Sequence, residues 1–290
     1  MTTLRLDDGR NLTIYDVGDP HGPAIVFHHG TPSSGRPFPP HVRLAEELGF
    51  RLVSYDRAGY GESTRRAGRS VADVAEDVAA VADALGFDRF ATWGISGGGP
   101  HALACAALLG DRVTALATIA SVGPADAPDL EFTAGMAEAN VAEFGLARQG
   151  EEVLRRALEA EAPGLAGATL AEMAAAFAPF CSDVDYAAVT GELGPHLLDG
   201  FRTGLSRGVD GWLDDDLAFA RPWGFEPAGV RAPVLLVQGR RDLMVPYEHG
   251  VWLARRLPDC EPRLFEEEGH LTPFVSRAGE LHEWLLERTR

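Results

Sequence analysis

The sequence contains little cysteine and no long hydrophobic run. Its 290 residues include three cysteines, scattered along the chain without a C-x-x-C pair, at Cys105, Cys181 and Cys260. An odd, scattered set favours reduced and mostly buried thiols over disulfides or a metal site. No apolar run reaches the roughly 20 residues that span a bilayer, and the N-terminal segment lacks the apolar stretch of a secretion signal. We therefore expect a cytoplasmic protein that does not enter a membrane.

Basic residues are also scarce relative to acidic ones. Lysine and arginine together number 26 against 43 aspartates and glutamates, which gives a formal net charge of -17 at pH 7. A surface of this sign repels phosphate backbones and anionic lipids. Nucleic acid and membranes are therefore not expected as partners, and the charge identifies no substrate.

Strand and helix signals alternate over most of the chain, apart from its middle. Leu4–Leu6 and Asn11–Val17 are predicted to form an antiparallel hairpin. Further strands are predicted at Ala24–Phe27, Arg51–Tyr55, Phe90–Ile95, Val113–Ala120, Val234–Gln238 and Pro262–Phe265. Helical periodicity lies between them, as in Val71–Leu85, for which Ser70 is the predicted N-cap. The alternation predicts an α/β fold whose parallel sheet is covered on both faces by helices.

The alternation stops between residues 123 and 225. This stretch is rich in alanine, glutamate and leucine, and helical runs are predicted near Leu130–Phe144, Glu151–Leu158 and Leu170–Phe177. We interpret it as a helical cap inserted into a core made of residues 1–122 and 226–290. An insertion at the carboxyl ends of parallel strands would cover the place where such sheets bind ligands. A separate helical domain of unrelated function is the alternative.

Residues 90–98 carry the most informative chemical signal. They end in G-I-S-G-G, between an apolar strand-like run and an almost uncharged helix. Small neighbours let the backbone fold back on a strained turn, so the Ser96 hydroxyl would stand beside the N-terminus of a helix. A dinucleotide-binding loop would need glycine where Ser96 stands, so the motif favours a nucleophile instead.

Asp242 and His270 are the candidate partners of Ser96. A serine nucleophile needs a base, and the base needs an acid to orient it. His270 follows the last predicted strand, and Asp242 lies just beyond the strand before it. The chain order Ser, Asp, His is the one that this kind of sheet requires. Asp126 is a rival acid, while the charge run Asp214–Asp216 is expected to be a solvated face.

Residues 28–32 follow another predicted strand and form the candidate oxyanion loop. Gly30 permits a backbone turn that would aim the Thr31 amide into the site. The Gly97 amide would be the second donor to a developing oxyanion. His29 is expected to bond the loop rather than to act in catalysis.

These segments together resemble the α/β-hydrolase fold superfamily. The resemblance rests on H-G-T-P at residues 29–32, D-R-A-G-Y-G-E-S at 56–63, G-I-S-G-G at 94–98, Asp242 and His270. It implies an eight-stranded, mostly parallel sheet, a helical cap at 123–225, and Ser96, Asp242 and His270 as a catalytic triad. The loop at 56–63 usually has a structural role in the family, which leaves Arg57 and Tyr60 without an assigned function.

Departures from some branches of the superfamily narrow the expected activity. Serine at position 96 argues against haloalkane dehalogenases and epoxide hydrolases, which use aspartate there. Proline iminopeptidases carry H-G-G-P-G where this chain has H-G-T-P-S at residues 29–33. This difference weakens the case for an aminopeptidase that reads a substrate ammonium through cap glutamates such as Glu131 or Glu138.

The sequence therefore predicts a cofactor-independent serine hydrolase, without a metal, that cleaves a small ester or related acyl compound. Phe132, Met136, Trp212 and Trp223 are candidates to line an apolar acyl pocket, with packing inside the cap as the alternative for each. Peptide-bond or carbon–carbon hydrolysis, a cofactor-free lyase and a ligand-binding receptor with a vestigial triad stay open. The sequence gives neither the identity of the substrate nor the oligomeric state.

Overall fold

Eight strands form one sheet in the computed structural model, which describes residues 1–289. In chain order they are β1 (Thr2–Arg5), β2 (Asn11–Gly18), β3 (Ala24–His28), β4 (Arg51–Tyr55), β5 (Phe90–Ile95), β6 (Val113–Ile119), β7 (Val234–Gly239) and β8 (Cys260–Phe265). Their spatial order is β1-β2-β4-β3-β5-β6-β7-β8. Strand β2 runs antiparallel to both neighbours, and all other pairs are parallel. The predicted eight-stranded, mostly parallel α/β fold is confirmed.

Twelve α-helices occur among the described residues. In chain order they are α1 (Pro39–Leu48), α2 (Val74–Leu85), α3 (Gly98–Leu108), α4 (Glu138–Gln149), α5 (Glu151–Gly167), α6 (Leu170–Phe177), α7 (Asp183–Thr190), α8 (Leu193–Gly204), α9 (Asp210–Phe219), α10 (Tyr247–Ala254), α11 (Thr272–Ser276) and α12 (Ala278–Thr289). None of these helices is long and apolar enough to cross a membrane. Cys105 is buried in α3, and all three cysteines are free.

Alternate residues of the central strands pack against helices on opposite faces of the sheet. In β3, Val26 packs with residues of α2, α3 and α10, whereas Ile25 and Phe27 pack with residues of α1, α11 and α12. Every residue of β3 and β5 is buried. Because side chains alternate between the faces of a strand, a sheet covered on both faces requires strands that are apolar throughout.

Helix α2 begins three residues later than the sequence predicts. The predicted N-cap, Ser70, hydrogen-bonds the Asp73 carboxylate through its amide (2.7 Å) and its hydroxyl (3.0 Å). The Ala72 amide donates to the Trp223 carbonyl oxygen at 2.9 Å, which holds this turn outside the helix. The prediction of Ser70 as N-cap was therefore wrong, because a distant segment fixes the turn that precedes α2.

Helices α4–α9 lie between β6 and β7, and residues 123–225 contain no strand. We call residues 123–225 the helical segment. Helix α6 coincides with a predicted run, whereas α5 extends to Gly167 and α4 begins at Glu138 rather than near Leu130. Residues 132–135 form turns, with Gly135 at a φ of +87°. Three further helices, α7, α8 and α9, complete the segment.

Candidate active site

The turn between β5 and α3 holds Ser96 in a backbone conformation that few non-glycine residues adopt. Its φ is +54°, a conformation that strains an ordinary residue by about 1–3 kcal/mol. A Cβ at Gly94 would lie 2.2 Å from the Gly98 carbonyl oxygen, so the turn is too tight for a side chain there. The Ser96 amide donates to the Ile119 carbonyl oxygen at 2.9 Å, which ties the turn to β6. Ser96 therefore stands on a strained turn at the head of α3.

Asp242 orients the ring of His270. Nδ1 of His270 lies 2.8 Å from Oδ2 of Asp242, and both side chains are buried. The other carboxylate oxygen accepts the amides of Met244 (2.9 Å) and Val245 (2.8 Å), and the Gln238 side-chain amide donates to Oδ2 at 3.0 Å. Because an ionised carboxylate only accepts hydrogen bonds, the contact assigns the proton to Nδ1 and leaves Nε2 of the neutral ring as a base.

Two carboxylates set the charge state of His270. Burial lowers the pKa of the imidazole, but the negative charges of Asp242 and Asp185 and the hydrogen bond to Asp242 outweigh burial. The pKa of His270 is raised as a result. An imidazolium at this position is thus stabilised, as proton transfer from a serine hydroxyl requires.

A cavity of about 250 Å³ joins the predicted site residues. Ser96, His270, Thr31 and Gly97 all line it, together with side chains of the helical segment. Thr31 lies against Gly97, since a Cβ at Gly97 would lie 2.3 Å from Oγ1 of Thr31. The structure therefore brings the two predicted amide donors and the Ser96 and His270 side chains to one cavity beneath the helical segment.

Comparison with known proteins identifies the fold. A family model described as alpha/beta hydrolase fold matches residues 23–151. The enol-lactonase of Burkholderia xenovorans LB400 superposes with a TM-score of 0.71 at 21% identity, over 99% of this chain and 98% of that one. The chain has the α/β-hydrolase fold.

Sequence relatives of this chain carry several activities in their names. A bifunctional esterase/perhydrolase of Acinetobacter calcoaceticus is 29% identical over 244 residues, which cover 83% of this chain and 82% of that protein. A proline iminopeptidase of Xanthomonas citri is 33% identical over 108 residues, which cover 36% of this chain and 34% of that protein. Similarity to these relatives therefore supports a hydrolase activity, but their different activities do not identify a substrate.

Only some of the predicted pocket residues line the cavity. Met136 and Trp212 are among its walls, whereas Phe132 and Trp223 are not. The Phe132 carbonyl oxygen lies 2.8 Å from Nε2 of His249, and its side chain packs in the core, as does that of Trp223. Phe132 and Trp223 therefore pack in the interior, which was the alternative to lining the pocket.

The run Asp214–Asp216 is buried on α9, so the prediction of a solvated face was wrong. Asp214 pairs with Arg65 at 2.8 Å and Asp215 with Arg57 at 2.6 Å. Oδ2 of Asp216 is buried without a hydrogen-bond partner among the described residues. Charge runs are usually solvated, and here arginines that are far away in sequence permit the burial of Asp214 and Asp215.

Arg57 and Asp215 hold the candidate oxyanion loop, a role that the sequence did not assign. The Arg57 guanidinium donates to the carbonyl oxygens of His29 and Gly30 and, at 3.1 Å, to Oγ1 of Thr31. The Thr31 hydroxyl donates to Asp215 at 2.6 Å. Burial acts to raise the pKa of Asp215, but Arg57 and a second arginine outweigh it and hold that pKa well below its ordinary value. The loop is thus clamped by a buried ion pair.

Three acidic side chains of the helical segment also line the cavity, a position that the sequence did not predict for any of them. They are Glu143 on α4, Glu161 on α5 and Asp216 on α9. Burial raises the pKa of all three. The Glu143 and Asp216 carboxyls interact, and because two carboxylates repel each other they favour holding a proton between them.

The rival catalytic candidates lie elsewhere. Asp126 is exposed, and the carboxylate that contacts the His270 ring is that of Asp242. Nδ1 of His29 lies 2.8 Å from the Gly30 carbonyl oxygen, within the loop that it was expected to bond. Within residues 1–289, no group of histidine, cysteine and acidic side chains is arranged to hold a metal ion.

Proposed function

We propose that the protein is a cofactor-independent serine hydrolase that cleaves a small ester or related acyl substrate through an acyl-enzyme intermediate. The observation that carries this proposal is the strained Ser96, which shares a cavity with a His270 ring held at 2.8 Å by Asp242. The esterase named among the relatives supports an ester as the substrate.

The proposed reaction has two halves. Oγ of Ser96 attacks the carbonyl carbon while Nε2 of His270 takes the hydroxyl proton, and the amides of Thr31 and Gly97 bind the resulting oxyanion. The tetrahedral intermediate expels the alcohol, which receives the proton from His270. Water, deprotonated by His270, then attacks the acyl-enzyme, and the carboxylic acid leaves as His270 returns that proton to Oγ of Ser96. Asp242 stabilises the imidazolium in both halves.

Turnover of p-nitrophenyl acetate and butyrate tests the proposal. We expect Ser96→Ala to lower kcat by more than about 10³-fold, because no other group supplies the nucleophile. Ser33→Ala is the matched control, since Ser33 lines the same cavity and should leave kcat within about twofold of wild type. Unchanged turnover in Ser96→Ala would refute the assignment.

A fluorophosphonate probe distinguishes an enzyme from a receptor with a vestigial triad. The reagent phosphonylates an activated serine and should label Ser96 in the folded wild-type protein. Folded protein without label would favour the receptor.

A second candidate is an aminopeptidase that binds the ammonium group of its substrate. The observation that favours it is the set of carboxyls Glu143, Glu161 and Asp216 on the cavity wall, including the unpartnered Oδ2 of Asp216. An ammonium placed there would form the charge-assisted hydrogen bonds that this oxygen lacks. The two glutamates named from sequence, Glu131 and Glu138, do not line the cavity, so they are not the residues proposed here.

Paired substrates test the second candidate. Amino-acid p-nitroanilides with a free amine should react at least about tenfold faster than N-acetylated ones, since one charge-assisted bond is worth that much. Asp216→Asn and Glu161→Gln should abolish the preference, and Glu131→Gln should retain it. Equal rates on both substrate forms in the wild type would leave the ester reaction as the proposed function.

A further inference from the structure

Asp185 lies in the helical segment, on the first turn of α7, and is completely buried. Its carboxylate binds the backbone of the loop that carries His270. Oδ2 accepts the His270 amide at 2.8 Å, and Oδ1 accepts the amides of Leu271 at 2.7 Å and Thr272 at 3.3 Å. The Ser182 hydroxyl donates to Oδ2 at 2.9 Å. One side chain of the helical segment thus fixes three consecutive peptide groups of the core.

The contact leaves no room for a side chain between the loop and α7. A Cβ at Gly269 would lie 2.1 Å from Oδ2 of Asp185. Leu271 is the N-cap of α11 and Thr272 is its first residue, and the first N–H groups of a helix have no partner within it. Charge-assisted hydrogen bonds of this kind are among the stronger ones in proteins.

We propose that Asp185 is a positioning residue for the hydrolytic reaction, through which the helical segment holds the backbone of His270. Asp242, which follows β7, holds the imidazole ring, and Asp185 on α7 holds the main chain of the same residue. The inference rests on the proposed function, because it assigns His270 the role of base.

Asp185 also acts on the charge of His270. Burial opposes protonation of the ring, while Asp242 and Asp185 favour it. Glu143, Glu161 and Asp216 line the same cavity from α4, α5 and α9. A variant that removes only the Asp185 charge leaves these three carboxyls in place. A change in the pH dependence of catalysis then reports on the contact between Asp185 and the His270 loop.

Asp185→Asn tests the proposal, with Asp183→Asn as the matched control. Asparagine keeps the size of the side chain, but loses the charge and one of the two acceptor oxygens. We expect kcat to fall about 10- to 100-fold with KM within about threefold. The acid limb of kcat/KM should move to lower pH, because a less basic His270 loses its proton at lower pH. Asp183 lies on the same turn but is exposed and pairs with Arg241, so its variant should match wild type.

Gly269→Ala is a second variant that keeps Asp185 and displaces the loop. It should lower kcat in the same way. Wild-type kcat and pH profile in either folded variant, judged by circular dichroism, would overturn the proposal. Loss of folding in both variants would also overturn it, since the contact would then serve stability alone.

The pKa of His270 can also be measured without turnover. An NMR titration of the imidazole in Ser96→Ala, assigned with a His270→Asn spectrum, should show a lower pKa when Asp185→Asn is added. If the wild type cleaves no ester, the proposed function fails while this titration still tests the contact. If esters are cleaved and the titration is unchanged, only the role of Asp185 fails.

Discussion

Asp216 is a residue whose burial destabilises the fold. Its side chain is 2% exposed, Oδ2 lacks a hydrogen-bond partner among the described residues, and the neighbouring Glu143 is also acidic. Burial is the main cause that raises the pKa of both carboxyls, and repulsion by Glu143 raises the pKa of Asp216 further. A buried polar atom without a partner typically costs about 1–3 kcal/mol. Such a residue is expected where ligand binding, rather than stability, favours it.

Asp216→Asn should therefore stabilise the protein at alkaline pH. The raised native pKa values mean that the carboxyl pair is tolerated below the unfolded carboxyl pKa of about 4, and that stability is lost as pH rises through the raised values. Asparagine does not ionise, so the variant does not lose this stability. Its unfolding free energy should exceed that of the wild type by about 1–3 kcal/mol at about pH 8 and by less at about pH 5. Urea denaturation measures both.

Asp214→Asn is the control for this effect. Asp214 is equally buried but paired with Arg65 at 2.8 Å, so its variant should be less stable than wild type at about pH 8. A stabilised Asp214→Asn, or a destabilised Asp216→Asn, would contradict the account of the unpartnered carboxyl.

At the residue scale, sequence reasoning uses chain order, and the catalytic roles that it gives Ser96, Asp242 and His270 stay a prediction. Ser96, Asp242 and His270 each follow a strand, and the parallel sheet brings the ends of those strands together. It failed at Asp216 and Arg57, whose partners are far away in the sequence. Local sequence around these residues is indistinguishable from a solvated charge run or a surface loop.

At the scale of elements, the candidate oxyanion loop depends on an arginine from the loop after β4. The Arg57 guanidinium contacts two carbonyl oxygens, Oγ1 of Thr31 and the Asp215 carboxylate. A planar group with five donors can serve all of these acceptors at once, whereas the single ammonium of lysine cannot. The loop and the middle of α9 are thus joined through one side chain.

Arg57→Lys should slow acylation without unfolding the protein. A misplaced oxyanion donor lowers kcat by up to about 10²–10³-fold, and we expect a loss of about 10- to 100-fold here. Single-turnover measurement with p-nitrophenyl butyrate, together with thermal unfolding, checks this. Arg65→Lys is the control, because Arg65 pairs with Asp214 of the same helix and does not touch the loop. Equal rates in the two variants would contradict the role of Arg57.

Helix α9 shows why the helical segment was harder to predict than the sheet. Nine of its ten residues are buried, from Gly211 to Phe219, so no amphipathic period marks which face lies toward the core. Strand β5 is equally buried, but its apolar residues and the glycines that follow it are a clear local signal. Met136 and Trp212 line the cavity and Phe132 and Trp223 do not, a difference that only the packing of the helices decides.

On the scale of the whole molecule, acidic residues far outnumber basic ones, and three of the acidic residues line the cavity. The formal net charge is -17, the sequence contains no lysine, and three acidic side chains face the cavity. Arginine suits the buried ion pairs described above, because its guanidinium binds carboxylates in a fixed geometry. The surplus acidic residues leave a field that attracts cations toward the protein.

Salt should therefore affect cationic and neutral substrates differently. With a p-nitrophenyl ester that carries a quaternary ammonium, kcat/KM should fall as sodium chloride rises from about 0.01 M to about 1 M, because the Debye length shortens from about 30 Å to about 3 Å. With p-nitrophenyl butyrate it should stay nearly constant. Parallel curves for the two esters would show that the field does not steer substrates.

The buried contact between Asp185 and the His270 loop restricts how this protein could be re-engineered or could diverge. A chimera that receives the whole 123–225 stretch from a relative would exchange the substrate-facing walls and, unintentionally, discard part of what orders His270. Asp215, which holds Thr31 from the same stretch, adds a second such dependence. Transplants that retain both aspartates should keep their catalytic rate, while blockwise exchanges should give folded but slow proteins. Residues 123–225 thus supply both walls of the cavity and the two aspartates that hold His270 and Thr31, so an exchange of the stretch changes both.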